Sequence, residues 1–210
     1  MIVEARRYTV YPGKLPAYLQ MFVDNRVVLD ELNKNLCGFW FNESGPLNTV
    51  HHLWHYKDRV ARATRRTQLA VDPDMQKFIA KVSPFLQSQE STIYRGDIAS
   101  SSVQQKGGVF SRFFIEYQYG VSELVKKKFS SEIAAVLKNK SSLVCALSSS
   151  NFDSANDVQK GLFIARHSDL AEQMHCMQGI SEDICEMFGS GIVKNSDYSL
   201  MLPAPFSKFQ

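Results

Sequence analysis

An α+β fold made of two consecutive β-α-β-β-α-β units is what this 210-residue sequence predicts. Three observations carry that expectation. The same order of strand and helix patterns runs twice along the chain. The serine-, glutamine- and glycine-rich stretch 99–108 (ASSSVQQKGG) separates the two runs as a linker. Each run also leaves one sheet face without helices yet rich in aromatics, and water penalises such exposure by about 25 cal/mol per Å². Packing those faces together inside one chain removes the penalty. Each unit has the element order of a ferredoxin-like domain. The expectation is therefore tandem ferredoxin-like repeats, residues 1–100 and 108–210, closing a barrel within the chain.

Residues 2–11 alternate as a strand, with Glu4, Arg6 and Tyr8 on one side and Val3, Ala5 and Thr9 on the other. Pro12-Gly13 turns the chain. Residues 15–32 place Leu15, Tyr18, Leu19, Phe22 and Val23 at helical spacing. Asn33, Asn35 and Gly38 suit a break before a short strand at 39–41. After Gly45-Pro46 comes a central strand, residues 48–56, covered on both faces. Asn48, Val50, His52, Trp54 and Tyr56 share one side; Thr49, His51, Leu53 and His55 share the other.

A basic helix follows over 57–71. Its residues Val60, Ala63, Thr64, Thr67, Ala70 and Val71 fall within an arc of about 120°, which predicts a buried face of small residues. Arg59, Arg62 and Arg66 gather in a separate arc of about 60°, with Arg65 beside them. Pro73 ends this helix. A short helix over 74–82 leads past Pro84 to a strand over 91–98. The second run has strands at 110–119, 142–147, 162–166 and 192–202, and helices at 121–137, 168–177 and 181–188.

Composition excludes several classes. Hydrophobic content of 44% and charge of 21% suit a chain with a substantial core. A net charge of +3 is too mild to imply a nucleic-acid partner. No apolar run approaches the roughly 18 residues of a membrane span. MIVEARRYTV lacks a signal-peptide core, so a cytoplasmic location is expected. Cys37, Cys145, Cys176 and Cys185 are dispersed, as reduced thiols would be. GxGxxG, Walker, GxSxG and HExxH motifs are absent, so no nucleotide or other cofactor is implied.

Polar groups on the predicted bare faces are the candidate site. Glu4, Arg6, Tyr8, Asn48, His52, Trp54 and Tyr56 line a chamber there if their two strands present the same face. In a catalytic reading His52 transfers a proton, Arg6 holds an anionic group, and Tyr8 and Tyr56 donate hydrogen bonds to a small aromatic or carboxylated molecule. That reading requires a cavity of several hundred Å³ touching His52 and Trp54. The alternative is that Glu4 and Arg6 pair with other charges and the aromatics are core. His51 and His55 share a strand side but lie about 13 Å apart, too far to chelate one metal ion. The arginine stripe is a solvated face, a subunit contact or an anion site.

The stretches MIVEARRYTVYPGKLPAYL, GPLN (45–48) and HLWHY (52–56), with Arg59, Arg62, Arg65, Arg66 and Asp72-Pro73, resemble the NIPSNAP family over roughly the first 100 residues. Met75 departs from the aromatic that the family usually carries there. The second half looks like a degenerate copy. The resemblance implies a dimeric α/β-barrel fold, frequent homo-oligomers and no settled reaction. Related barrels include cofactor-independent monooxygenases. Ligand-binding protein and non-catalytic oligomeric scaffold are therefore both carried forward.

Overall fold

A computed structural model describes residues 1–96, 98, 107–118, 142–149, 160–177 and 191–209. The helices expected at 121–137 and 181–188 lie outside the described residues. In chain order the elements are β1 (Ile2–Val10), α1 (Leu15–Asp24), α2 (Arg26–Leu32), β2 (Leu36–Ser44), β3 (Thr49–Tyr56), α3 (Arg59–Val71), α4 (Pro73–Val82) and β4 (Leu86–Arg95). Then come β5 (Val109–Tyr117), β6 (Ser142–Ser149), β7 (Lys160–His167), α5 (Leu170–Met177) and β8 (Val193–Pro203).

All eight strands pair antiparallel and close into a barrel in the order β1-β3-β2-β8-β5-β7-β6-β4. Cut at the β2–β8 and β6–β4 joins, the ring gives β4-β1-β3-β2 and β8-β5-β7-β6. Both are the ferredoxin-like order, so the expected architecture is present. The two joins differ. β2 and β8 pair from Trp40–Pro203 to Ser44–Leu200. Among the described residues β4 and β6 share only Tyr94–Ser149 and Arg95–Ser148, with an isolated Ile98–Cys145 bridge beyond. A short seam therefore closes the barrel.

Three element boundaries depart from the sequence reading, each for a local reason. The helix over 15–32 is two helices, because Asn25 leaves helical geometry (φ −114°, ψ 65°) and its side-chain amide donates to the Met21 carbonyl at 2.6 Å. The strand at 39–41 is the middle of nine-residue β2, whose Gly38 lies within the strand instead of ending the turn. β4 starts at Leu86, directly after a 3-10 turn over Ser83–Phe85, so it is longer than 91–98 suggested.

Aromatic and aliphatic side chains form three clusters. One lies between the first sheet and its helices and includes Tyr18, Phe22, Phe39, Trp54, Met75 and Phe78. The second fills the barrel, with Val3, Trp40, Leu53, Phe110, Leu162 and Phe209. Phe113, Ile115, Tyr117 and Phe163 form the third, on the outside of the second sheet.

Helix α3 lies the other way up from the sequence expectation. It has no buried residue, and Val60 and Val71 are 75% and 70% exposed. Its arginines face the protein instead. Arg62 binds both oxygens of Glu4 (2.9 and 2.7 Å), and Arg66 adds a contact at 3.3 Å. Arg65 binds the Glu31 carboxylate and the Glu31 carbonyl. The rotation follows from energy. A buried carboxylate left without partners costs several kcal/mol, more than two exposed valines do.

The second half repeats this arrangement without charge. Asp58 caps α3 by accepting from the Ala61 amide, and Asp169 caps α5 by accepting from the Glu172 amide, both at 2.8 Å. Aligned on those caps, Arg62 corresponds to Gln173. Registers that set Glu4 opposite Ile93 and Ser111 opposite Leu200 make Ser91 the counterpart of Tyr198. Ser91 donates to Glu4 at 2.7 Å. Gln173 likewise reaches the Ser111 and Tyr198 hydroxyls. One hub is ionic and the other neutral.

Candidate functional site at the barrel mouth

Strand parity decides which groups see the interior. Facing pairs on β1 and β3 are Glu4–Trp54, Arg6–His52 and Tyr8–Val50 on one side, Ala5–Leu53 and Arg7–His51 on the other. The first set shares its face with Tyr18, Phe22 and Phe78 of the helices. Glu4, Arg6, Tyr8, His52, Trp54 and Tyr56 thus do present one common face, as expected, but it is the helix-covered face and not the barrel interior. Asn48 is not in the strand: it sits in the turn before it, at φ 57°. Among the described residues the cavity that His52 and Arg6 help to line is small, about 80 Å³, and Trp54 does not border it.

These residues form a packed ionic layer. Glu4 is fully buried and accepts from Arg6, Arg62, Arg66 and Ser91. Burial by itself would raise its carboxyl pKa, but the Arg62 and Arg6 hydrogen bonds outweigh that and hold it at about 2. His52 is stacked on Phe39 at 4.8 Å and met edge-on by Tyr8 at 4.7 Å, while its Nδ1 accepts from the Trp54 indole at 2.7 Å. Arg6 lies over the Trp54 ring at 4.9 Å.

The opposite parity lines a partly enclosed cavity of about 80 Å³. Arg7, His51, Thr92, Tyr94, Arg112 and Lys160 are among its lining residues. Elsewhere in the barrel core Trp40, Phe110 and Phe209 pack together, their ring centroids 5.2 to 5.6 Å apart. The Asp197 carboxylate bridges the two guanidiniums, Oδ1 to Arg112 at 2.6 Å and Oδ2 to Arg7 at 3.3 Å. Arg112 also lies over Phe114 at 5.6 Å, and Lys160 Nζ sits 5.9 Å from the same ring. Charge of both signs is thus gathered at the mouth, with cations in excess among the lining groups.

His51 is 5% exposed, and its Nε2 has no hydrogen-bond partner among the described residues. Burial, then the Arg112 and Arg7 cations and His52, push its pKa well below the usual imidazole value. It is therefore a neutral imidazole at physiological pH, able to accept a hydrogen bond. Tyr94 is pushed the other way by burial and stays a phenol. Among the described residues no group of three His, Cys, Asp or Glu side chains is placed to hold a metal ion. A wider open groove of about 630 Å³ lies outside the barrel, lined in part by Lys34, His55, Lys57, Thr64 and Arg65.

Sequence reading passed over Arg7, Arg112 and Asp197 and weighed His51 only as a metal ligand. The available signal for Arg7 and His51 was their parity with Val3, Ala5 and Leu53, the most plainly apolar side of β1 and β3. The same protonation states fix a stability profile. For His51, His52 and His167 the folded pKa is depressed by burial, so below about pH 6.5 the unfolded chain takes up protons that the folded chain refuses. Glu4 adds the same sign between its unfolded value of 4.5 and about 2. Urea midpoints at about pH 7.5, 5.5 and 4 are expected to fall in that order. A profile flat down to pH 4 rules out neutral buried imidazoles.

The NIPSNAP family model matches residues 3–97. Protein NipSnap homolog 3A of Homo sapiens is 34% identical over 92 residues, 43% of this chain and 37% of that protein. The NipSnap homolog of Dictyostelium discoideum is 33% identical over 88 residues, 42% of this chain and 39% of that protein. This chain thus spans well under half the length of the curated relatives it matches. An uncharacterized NIPSNAP domain protein of Burkholderia xenovorans is 38% identical, covering 44% of this chain and 91% of that one, with a TM-score of 0.42. The barrel as a whole is similar to a monooxygenase-like protein of Lactobacillus acidophilus, 13% identical over 97% of this chain and 93% of that one, TM-score 0.64. That likeness shows the fold. Among the described residues no helix is long and apolar enough to cross a membrane. With its N-terminal half matched in these ways, the chain belongs to the NIPSNAP family.

Proposed function

We propose that this chain binds a small organic molecule at the barrel mouth and that the neutral His51 imidazole accepts a hydrogen bond from it. One observation carries the reading: a buried His51 Nε2, without a partner among the described residues, borders a cavity that Arg7 and Arg112 also line. Polar atoms buried without partners are rare unless a ligand or catalytic task explains them. The arginines attract an anionic group of that molecule, and the buried surroundings strengthen that attraction. The barrel fold shared with monooxygenase-like proteins of Lactobacillus acidophilus and Fusobacterium nucleatum is compatible with a small-molecule site, by analogy of fold alone.

The test is a thermal-shift screen of the purified chain against a metabolite library, with His51→Phe alongside. A hit is expected to raise the melting temperature of the wild type and to lose at least about ten-fold affinity in His51→Phe. If no compound moves the wild type, the pocket reading fails. The scaffold reading then takes its place, supported by the exposed Val60, Val71 and Ile79 of α3 and α4, which a second copy would cover.

A further inference from the structure

Resting on that reading, we infer that the ligand of the barrel mouth carries a carboxylate, and that Asp197 occupies the position the ligand's carboxylate takes. Arg7 and Arg112 stand on β1 and β5, strands of different halves, yet both direct a guanidinium nitrogen at one carboxylate. Such a fork suits a planar two-oxygen anion, one oxygen to each cation. Asp197 supplies that anion from β8, directly opposite Phe114 in the register.

The hold is uneven. Arg112 is 7% exposed and meets Asp197 at 2.6 Å, while Arg7 is 30% exposed and meets it at 3.3 Å. The Asp197 side chain is 22% exposed, between the two arginines in exposure, so part of this carboxylate already meets solvent. Glu4 differs in every respect: fully buried, and held by three arginines and a serine. One carboxylate is built in; the other is exchangeable.

Size and surroundings define the rest of the ligand. A cavity of about 80 Å³ admits a carboxylate head and little more. Any body attached to it must lie toward the mouth, where Phe114 is flanked by Arg112 and Lys160 and offers a ring face. His51 then lies on the inner side, beside the atom next to the carboxylate. The ligand class is a small carboxylic acid with a flat or apolar tail. Phosphate and sulfate, with four oxygens around one centre, match the flat fork less well.

Removing Asp197 should therefore strengthen binding, the opposite of what removing a ligand-contacting residue does. With the full chain, Asp197→Asn is expected to bind benzoate about ten-fold more tightly than wild type by calorimetry. Benzamide, the neutral isostere, should gain nothing, and benzoate should return the melting temperature lost on substitution. Asp197→Ser carries the same expectation if Asp197→Asn does not fold. Equal benzoate affinity in wild type and variants, or an equal gain for benzamide, overturns the carboxylate assignment and leaves the small-molecule reading standing. If no variant binds benzoate and the library screen is also empty, both readings fall together.

Discussion

Glu4→Ala is expected to destabilise the chain by about 3–5 kcal/mol and to lower its melting temperature by roughly 10 °C or more. The substitution leaves Arg6, Arg62 and Arg66 facing one another with their common anion gone. Arg6 and Arg62 are four-fifths buried, so water cannot replace Glu4 for them, whereas Arg66 is 51% exposed and turns outward. Two controls separate charge from packing. Glu4→Gln keeps an acceptor for Ser91 and should lose less. Arg66→Ala removes only a half-exposed partner and should cost less than about 1 kcal/mol. The effect should also concentrate in one place. Glu4 is the point at which α3 is tied to β1 and β4, so amide exchange should accelerate in α3 before the second half of the barrel. A loss under 1 kcal/mol for Glu4→Ala would mean that the hub is ornamental and that apolar packing alone holds α3.

Much of the fold was legible because strand and helix order is written in local periodicity, and two equal runs of that order admit few topologies. The orientation of each face was not. Period-two alternation sorts β1 into Glu4, Arg6, Tyr8 and Val3, Ala5, Arg7, but both sets hold a charge, so alternation cannot say which points inward. The information lay between elements. Glu4 is the one carboxylate on β1, and Arg62 and Arg66 are one turn apart on α3; each lacks a counter-ion until the two are brought together. Reading α3 alone favoured burying Val60, Ala63, Thr64, Thr67, Ala70 and Val71, and the observed helix exposes Val60 and Val71. Once Glu4 is assigned to α3, parity sends Arg7 and His51 into the barrel, and the candidate site follows. Arg112 and Asp197 were hidden for a different reason. They come from the degenerate half, where Ser111, Gln173 and Tyr198 have replaced the ionic signature of the first.

Gly38→Ala should be the most damaging single-methyl change in the barrel, costing about 3 kcal/mol, the upper end of the range for overpacking a filled core. A Cβ at this position collides with the Trp40 ring, and lies 2.6 Å from its Cζ2 and 2.8 Å from Cε2 of Phe209. Both aromatic residues are fully buried, and Trp40 is wedged between Phe110 and Phe209, so neither ring has an empty volume to enter. Gly38 is therefore the recess that lets the indole lie back along β2. Among the described residues the Trp40 indole nitrogen has no hydrogen-bond partner, so Trp40→Phe gives up no bond seen there and only ring volume. Alone, that change opens a void and should cost about 1–2 kcal/mol. Combined with Gly38→Ala it vacates the space the methyl needs, so the double variant should be more stable than the two losses summed, with a coupling of at least about 1 kcal/mol. Urea unfolding of the four proteins measures it. Strict additivity would place the strain of Gly38→Ala in the backbone, and the packing of the barrel core would no longer depend on how these two side chains fit.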